Sequence, residues 1–128
     1  MEPDRAVSLR DKVLGPIYAF PPELPRELLP LGVTIRQGRW IPALGGWLSK
    51  MRGPAAAVAL RRTIVVHPDV RLSRRLLVHE LEHVRQWAED PLFPLRYALE
   101  SLRHGYWNNH YEQQAREAEH ASDTFPLA

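Results

Sequence analysis

Ser73-Arg-Arg-Leu-Leu-Val-His-Glu-Leu-Glu-His-Val-Arg-Gln-Trp-Ala88 is the stretch of this chain whose pattern says most about the fold. Ser73 fits a helix N-cap, and the residues from about 74 to 88 have the apolar spacing of a helix. At about 100° per residue, His79 and His83 lie together at the border of the apolar arc, and Glu80 falls inside it. The apolar arc is formed by Leu76, Leu77, Leu81, Val84, Trp87 and Ala88, and the opposite arc by Arg74, Arg75, Glu82, Arg85, Gln86 and Glu89.

Residues 79–83 read His-Glu-Leu-Glu-His, the pattern HExxH. Histidines four residues apart on a helix lie on one face, so both imidazoles can reach one Zn²⁺ ion. Zinc lowers the pKa of a bound water, and a neighbouring carboxylate can take its proton. Burying a lone carboxylate is costly unless it is paired or used, so the position of Glu80 favours a chemical role over an ion pair with a core arginine. The motif therefore predicts His79 and His83 as metal ligands and Glu80 as the general base.

A catalytic zinc ion needs a third protein ligand. The chain has no cysteine, so this ligand has to be a histidine or a carboxylate. The last predicted helix carries Ala115 and Ala118 on one side, and these small residues allow it to approach the motif helix closely. Glu112 and Glu119 flank that side, and we favour Glu112, with Glu119 as the second choice. The competing interpretation of Glu112 is a capping box with Asn109.

The pattern His79-Glu-x-x-His83, followed by Glu112-x-x-Ala115, resembles the gluzincin metallopeptidases, and most of all their smallest members, the minigluzincins. In that group the Glu of a Glu-x-x-Ala-Asp stretch is the third zinc ligand, which maps onto Glu112. The chain departs from the group at the Asp position, which is Arg116. Any role of that Asp around the metal must therefore be filled by another residue or be lost.

The resemblance covers about residues 57–121 and implies a small zincin-like domain that binds Zn²⁺ and hydrolyses a peptide or protein substrate. It also implies that the strand Thr63–Val66 is the edge strand that pairs with an extended substrate. The oxyanion formed during hydrolysis needs a donor besides zinc. Related peptidases use a Tyr or His for this task, and we choose Tyr106 and His110.

The remaining segments predict a single α+β domain over residues 1–128, with a short twisted sheet before the motif helix and further helices after it. Residues 1–30 would form an N-terminal helix, with helical spacing over 6–20, and a proline-rich arm at Pro21–Pro30. The other predicted elements are strands at Gly32–Ile41 and Ala57–His67 and helices at about Pro91–Gly105 and His110–Ala121. Trp40 and Trp47 fall in a Gly/Pro-rich segment, where we expect them to pack under a loop; the alternative is that they line a cleft.

The net charge of +2 is small for a nucleic-acid-binding protein. A local cluster of arginines (Arg61, Arg62, Arg71, Arg74 and Arg75) is therefore interpreted as a solvated surface. Neither a signal-peptide core nor a membrane-spanning run is visible, so we expect a soluble, cytoplasmic protein without a membrane partner. Composition and motifs leave the oligomeric state open.

Two alternatives to an active peptidase stay open. The first is a catalytically silent, metallopeptidase-like domain that binds a partner, for which Arg116 is the main argument. The second is a latent enzyme whose cleft is filled by the arm at Pro21–Pro30.

Overall fold

The computed structural model of the chain describes residues 9–48, 51 and 53–124. These residues form an α+β arrangement with a three-stranded mixed sheet, which confirms the predicted fold class at that level. The elements in chain order are α1 at Leu9–Leu14, β1 at Thr34–Gln37, α2 at Trp40–Leu48, β2 at Ala57–Leu60, β3 at Thr63–Val66, α3 at Arg74–Glu89, α4 at Phe93–His104 and α5 at His110–Thr124. A one-turn 3-10 helix lies at Arg26–Leu28.

The order of the strands is β1-β3-β2, with β1 parallel and β2 antiparallel to β3. The predicted strand at Ala57–His67 is therefore a hairpin that turns at Arg61 and Arg62, where Arg61 has a φ of 56°. The prediction that Thr63–Val66 is an edge strand is wrong. Both sides of β3 are already paired, because the hairpin places β2 outside it. The free edge next to β3 belongs to β2.

The two faces of the sheet are covered by different helices. Ala59 and Ile64 are cross-strand neighbours in the buried cluster that packs under α3, together with Leu77. Side chains alternate between faces along a strand. Val58 and its partner Val65 therefore point to the other face, which α2 covers.

Helix α2 was not predicted. The predicted strand at Gly32–Ile41 is correct only for residues 34–37, since the chain turns at Gly38 and starts a helix at Trp40. The inner face of α2 consists of small residues: a Cβ atom added at Gly45 would lie 2.5 Å from Cγ2 of Val58. Trp40 and Trp47 are on the outer face and neither packs under a loop, so this prediction is wrong.

The N-terminal segment packs against the core by its apolar side chains. Helix α1 ends at Leu14, short of the predicted limit at residue 20, and residues 6–8 of that prediction lie outside the described residues. It ends there because Gly15 has a φ of 91° and Pro16 cannot continue the helical hydrogen bonds. Tyr18 N then donates to Ile35 O over 2.9 Å. Phe20, Leu24, Leu28 and Leu29 cover the core cluster beyond this point.

The last three helices position the motif. Helix α3 begins after Ser73, whose hydroxyl accepts a hydrogen bond from Leu76 N over 3.1 Å, as the sequence predicts for an N-cap. Helix α5 packs against α3 along its length, and Ala115 is completely buried between them. Within the described residues, no helix is both long and apolar enough to cross a membrane.

Candidate metal centre

His79 and His83 are buried one turn apart on α3, with ring centroids separated by 5.0 Å. Each ring has its Nδ1 atom held by another side chain. His79 Nδ1 lies 2.7 Å from Oε1 of Glu119, and His83 Nδ1 lies 2.7 Å from Oε1 of Gln86. With Nδ1 so occupied, the Nε2 atom of each ring is the one that faces the interior of the site.

The hydrogen bonds of Gln86 determine which nitrogen of His83 carries a proton. Its amide nitrogen donates to Tyr111 O over 3.1 Å and to Gln114 Oε1 over 2.9 Å. The amide oxygen of Gln86 must therefore face His83, and since an amide oxygen only accepts, Nδ1 of His83 is the donor. A neutral His83 then keeps the lone pair of Nε2 available for a metal ion.

Glu119 has the same effect on His79. A carboxylate accepts hydrogen bonds, so His79 Nδ1 is the donor, and Nη2 of Arg75 lies 3.7 Å from the second oxygen of Glu119. In the gluzincin pattern the Asp near the metal would stand at Arg116. Here the Arg116 guanidinium lies 4.0 Å above the ring of Trp107, away from the histidines. Glu119, one turn further along α5, is the carboxylate that contacts Nδ1 of His79.

Glu112 joins the two histidines. Its Oε1 lies 2.8 Å from His79 Nε2 and its Oε2 lies 3.1 Å from His83 Nε2. The capping box with Asn109 is absent, because the Asn109 side chain accepts from Tyr111 N instead and the carboxylate of Glu112 faces α3. The structure therefore brings together the three residues that the sequence proposes as ligands, His79, His83 and Glu112.

The spacing of these groups fits one small cation. Two ligand atoms at about 2.1 Å from a tetrahedral ion are roughly 3.4 Å apart, which is more than the hydrogen-bond distances of 2.8 Å and 3.1 Å from Glu112 to the two Nε2 atoms, so a metal ion would separate these groups slightly. Ligand atoms of His79, Glu80 and His83 also lie within 4.8 Å of one another. The donors are imidazole nitrogens and carboxylate oxygens, a set that suits zinc and several other divalent metals. This buried group could hold a metal ion.

Glu80 stands beside the histidines without being held in place by them. It is 4% exposed, and among the described residues its Oε2 atom has no hydrogen-bond partner. Burial raises the pKa of Glu80 to about 7, against the opposing charges of His83 and His79. An unpaired buried polar atom costs about 1–3 kcal/mol of stability. Within the described residues, Glu80 forms no ion pair with a core arginine, which was the alternative for this residue.

The charges of the site are strongly coupled. Burial would lower the pKa of His83, but its hydrogen bond to Glu112 and the charges of Glu112 and Glu80 raise that pKa to about 9. Burial would conversely raise the pKa of Glu112, but the hydrogen bonds from His79 and His83 hold it well below its usual value. In the absence of a metal ion, Glu112 therefore stabilises protonated histidines.

Tyr106 and His110, the two predicted oxyanion donors, are placed differently. Tyr106 lines the cavity beside the site, and burial together with the negative charges of Glu112 and Glu80 raises the pKa of its hydroxyl. His110 is half exposed, forms an ion pair of 3.0 Å with Glu100 and lies outside that cavity. Of the two, only Tyr106 lies in the cavity with the histidines and Glu80.

Gln86 and Tyr97 were missed by sequence reasoning. Gln86 lies on the arc of α3 that the helical pattern predicts to be polar and outward, yet it is only 4% exposed because α5 covers it. The Tyr97 hydroxyl donates to Oε2 of Glu112. The approach of α4 and α5 to α3 decides both contacts, and neither has a signal in the helical pattern of α3.

A cavity of about 330 Å³ opens onto the site. The histidines, Glu80 and Glu112 form one wall, β2 forms another, and α4 contributes Phe93 and Tyr97. Gly45 and Met51 border it from the side of α2. No residue of the proline-rich arm lines it. The walls are largely apolar apart from the polar group at one end, an arrangement common in ligand sites.

The arginines that form a cluster in the sequence are spread over the surface. Two lie in the β2–β3 turn, and three others have partners elsewhere: Arg71 contacts Glu23, Arg74 contacts Ser122 O, and Arg75 lies near Glu119.

Comparisons with protein-family models, with curated proteins and with solved structures found no significant match to this chain. Function has to be inferred from the side chains of the site.

Proposed function

We propose that this chain is a zinc metallopeptidase of the gluzincin type, with a zincin-like fold and a peptide or protein substrate. The observation that carries the proposal is Glu80, a buried carboxylate whose Oε2 is unpaired among the described residues, beside two histidines whose Nε2 atoms both contact Glu112. A buried polar atom without a partner calls for an explanation, and a catalytic role or a bound ion is one of those known from other proteins. In this proposal His79, His83 and Glu112 hold the metal.

Each residue of the site has a defined task. A bound zinc ion would supply Lewis-acid polarisation of the scissile carbonyl and lower the pKa of a water molecule. Glu80 takes the proton of the attacking water and later delivers it to the leaving amine nitrogen. The hydroxyl of Tyr106 donates a hydrogen bond to the developing oxyanion. Glu119 and Gln86 hold the imidazole rings in place.

The substrate would add to β2. In an antiparallel pair, alternate residues direct their backbone groups towards the partner strand. His67 N donates to Ala56 O, so Val58 and Leu60 also face β3, while the backbone groups of Ala57 and Ala59 point outwards. Ala59 O already accepts a hydrogen bond of 3.0 Å from Nε1 of Trp87, so we place the pairing with a peptide at Ala57. This outward edge borders the cavity. An extended peptide paired there would run past Glu80.

The decisive experiment compares Glu80→Gln with Glu82→Gln, the same change at a neighbouring position paired with Arg85 on the outer side of α3. We expect both variants to bind one zinc ion per chain by metal analysis. Only Glu80→Gln should lose cleavage of a peptide library by mass spectrometry, by at least a hundredfold. Equal cleavage by wild type and Glu80→Gln would refute the mechanism, and the absence of bound metal in wild type would refute the zinc site.

A stability measurement separates chemistry from structure at Glu80. If the residue is retained for chemistry, Glu80→Gln should leave the free energy of unfolding of the metal-free protein unchanged or raise it, since one charged buried group is removed. A structural carboxylate would instead give a loss of stability.

Two observations favour an active peptidase over the two alternatives. Arg116 replaces the Asp of the family pattern, but Glu119 supplies a carboxylate that contacts Nδ1 of His79. A latent enzyme would need the arm at Pro21–Pro30 in the cleft, and the arm contributes no wall to the cavity. Zinc binding without cleavage of any peptide remains the result that would favour a binding module.

A further inference from the structure

Helix α2 presents its large apolar side chains to solvent. Trp40, Leu44 and Trp47 are 74%, 50% and 74% exposed, and their spacing of four and three residues puts them on one face of the helix. Two exposed indoles and a leucine on a nine-residue helix form an apolar patch of the kind that marks an interaction surface. We call these three residues the α2 outer face.

The orientation of α2 is enforced by its small residues. A Cβ atom at Gly45 would lie 2.5 Å from Val58, and one at Gly46 would lie 2.1 Å from Gly53 O. Pro42, on the same side, is fully buried. Only these small residues allow α2 to lie so close to the sheet, and the tryptophans have no room on that side. Their exposure is therefore a built feature of the packing.

The charged residues that flank α2 in the chain are cationic. Residues 28–68 contain no Asp or Glu, and three of their six cationic residues, Arg39, Lys50 and Arg52, lie shortly before or after the helix in the sequence. Arg39 is exposed directly before Trp40, and Lys50 and Arg52 follow the helix in the chain. Helix α1, which packs against α2, adds the exposed Lys12.

We propose that the α2 outer face binds the surface of an anionic lipid bilayer. Tryptophan side chains partition to the headgroup region of bilayers, and neighbouring Lys and Arg side chains each add attraction to anionic lipids. A second copy of this chain fits the surface less well, because a symmetric contact would place Arg39 and its cationic neighbours against each other. The sequence-based expectation of no membrane partner considered only spanning segments, and this contact is peripheral.

The test uses the purified full chain and flotation with two kinds of vesicle, phosphatidylcholine alone and phosphatidylcholine mixed with phosphatidylglycerol. We expect binding to the mixed vesicles, weaker binding at high salt, and at least tenfold weaker binding of Trp40→Ser/Trp47→Ser. The matched control is Trp107→Ser, which removes an indole that is 67% exposed on another surface and should leave binding unchanged.

A second variant covers the case in which the double variant does not fold. Arg39→Glu changes only an exposed charge and should weaken binding to the mixed vesicles several-fold while circular dichroism stays unchanged. The proposal is overturned if wild type ignores the mixed vesicles, if it binds both vesicles equally, or if the double variant binds like wild type. Micromolar dimerisation abolished by the double variant, or binding to duplex DNA in place of vesicles, would also overturn it.

Discussion

Gln86 accepts a hydrogen bond of 2.7 Å from Nδ1 of His83, while its own amide nitrogen is anchored to α5 through Tyr111 O and Gln114. Gln86 lies on the same helix as His83, and α5 holds the side chain of Gln86 in place. Helix α5 thus sets the position of His83, a candidate ligand on α3. Such contacts orient the ring and set which nitrogen is free, and losing them typically costs 10- to 100-fold in metal affinity.

Gln86→Leu should therefore weaken zinc binding by about 10- to 100-fold, since it removes the acceptor and keeps much of the side-chain volume. Competition with a chelating indicator dye measures the affinity. Gln113→Leu, on an exposed position of α5, is the control and should bind zinc like wild type. An unchanged affinity in Gln86→Leu would show that His83 needs no such support.

Glu119→Ala should weaken zinc binding by a similar factor, about 10- to 100-fold, because the acceptor for Nδ1 of His79 is lost. The matched control is Glu117→Ala, which removes an exposed carboxylate from the same helix. If Glu117→Ala has the same effect, the loss comes from overall charge and Glu119 has no special role.

Tyr106→Phe should lower kcat by about 10²- to 10³-fold with little change in zinc content, because the hydroxyl is the donor proposed for the oxyanion. Steady-state kinetics on a cleaved peptide gives kcat and KM separately. His110→Ala should leave both constants within about twofold of wild type, since that ring pairs with Glu100 outside the cavity. A large loss of kcat in His110→Ala with a normal kcat in Tyr106→Phe would make His110 the oxyanion donor in place of Tyr106.

Ala57→Pro should impair substrate binding and leave the sheet intact, because its backbone N–H points away from β3 and proline is tolerated at such edge positions. Loss of one backbone hydrogen bond to a peptide corresponds to about a 3- to 10-fold rise in KM. Val58→Pro removes an N–H that faces β3 and should unfold the protein. A normal KM in a folded Ala57→Pro variant would exclude strand addition at β2.

The metal-free protein should lose stability as the pH rises from about 6.5 towards 9. Despite burial, the hydrogen bond and charge of Glu112 raise the pKa of His83 to about 9, above the value of about 6.5 in an unfolded chain. A group whose pKa is raised by folding contributes fully below its unfolded pKa, and that contribution disappears as the pH passes the folded value. Burial raises the pKa of Glu80 to about 7, which acts in the same direction.

Urea unfolding of chelator-treated protein at pH 6 and pH 9 measures this trend. Zinc affinity should change in the opposite direction, because the ion binds deprotonated imidazole and competes with protons at low pH. A metal-free protein that is more stable at pH 9 than at pH 6 would contradict the charge arrangement of the site.

The local pattern of the sequence was enough to place the motif. The N-cap at Ser73 and the positions of His79, Glu80 and His83 on α3 follow from helical periodicity, which depends on neighbouring residues alone. The choice of Glu112 depended on one further step, the close approach that Ala115 permits, and the structure brings its carboxylate to both histidines.

Tertiary structure decided what lies between elements distant in the chain. The sequence of Thr63–Val66 describes a good strand, but only the hairpin with Ala57–Leu60 makes β3 central and leaves β2 at the edge. Gln86 reads as a surface residue until α5 covers it. The sequence predicts that the tryptophans of α2 pack under a loop, but the close contact of Gly45 with Val58 leaves them on the exposed outer face. Periodicity reports which face of an element is apolar, whereas burial depends on which partner packs against that face, and that partner is set by contacts across the whole fold.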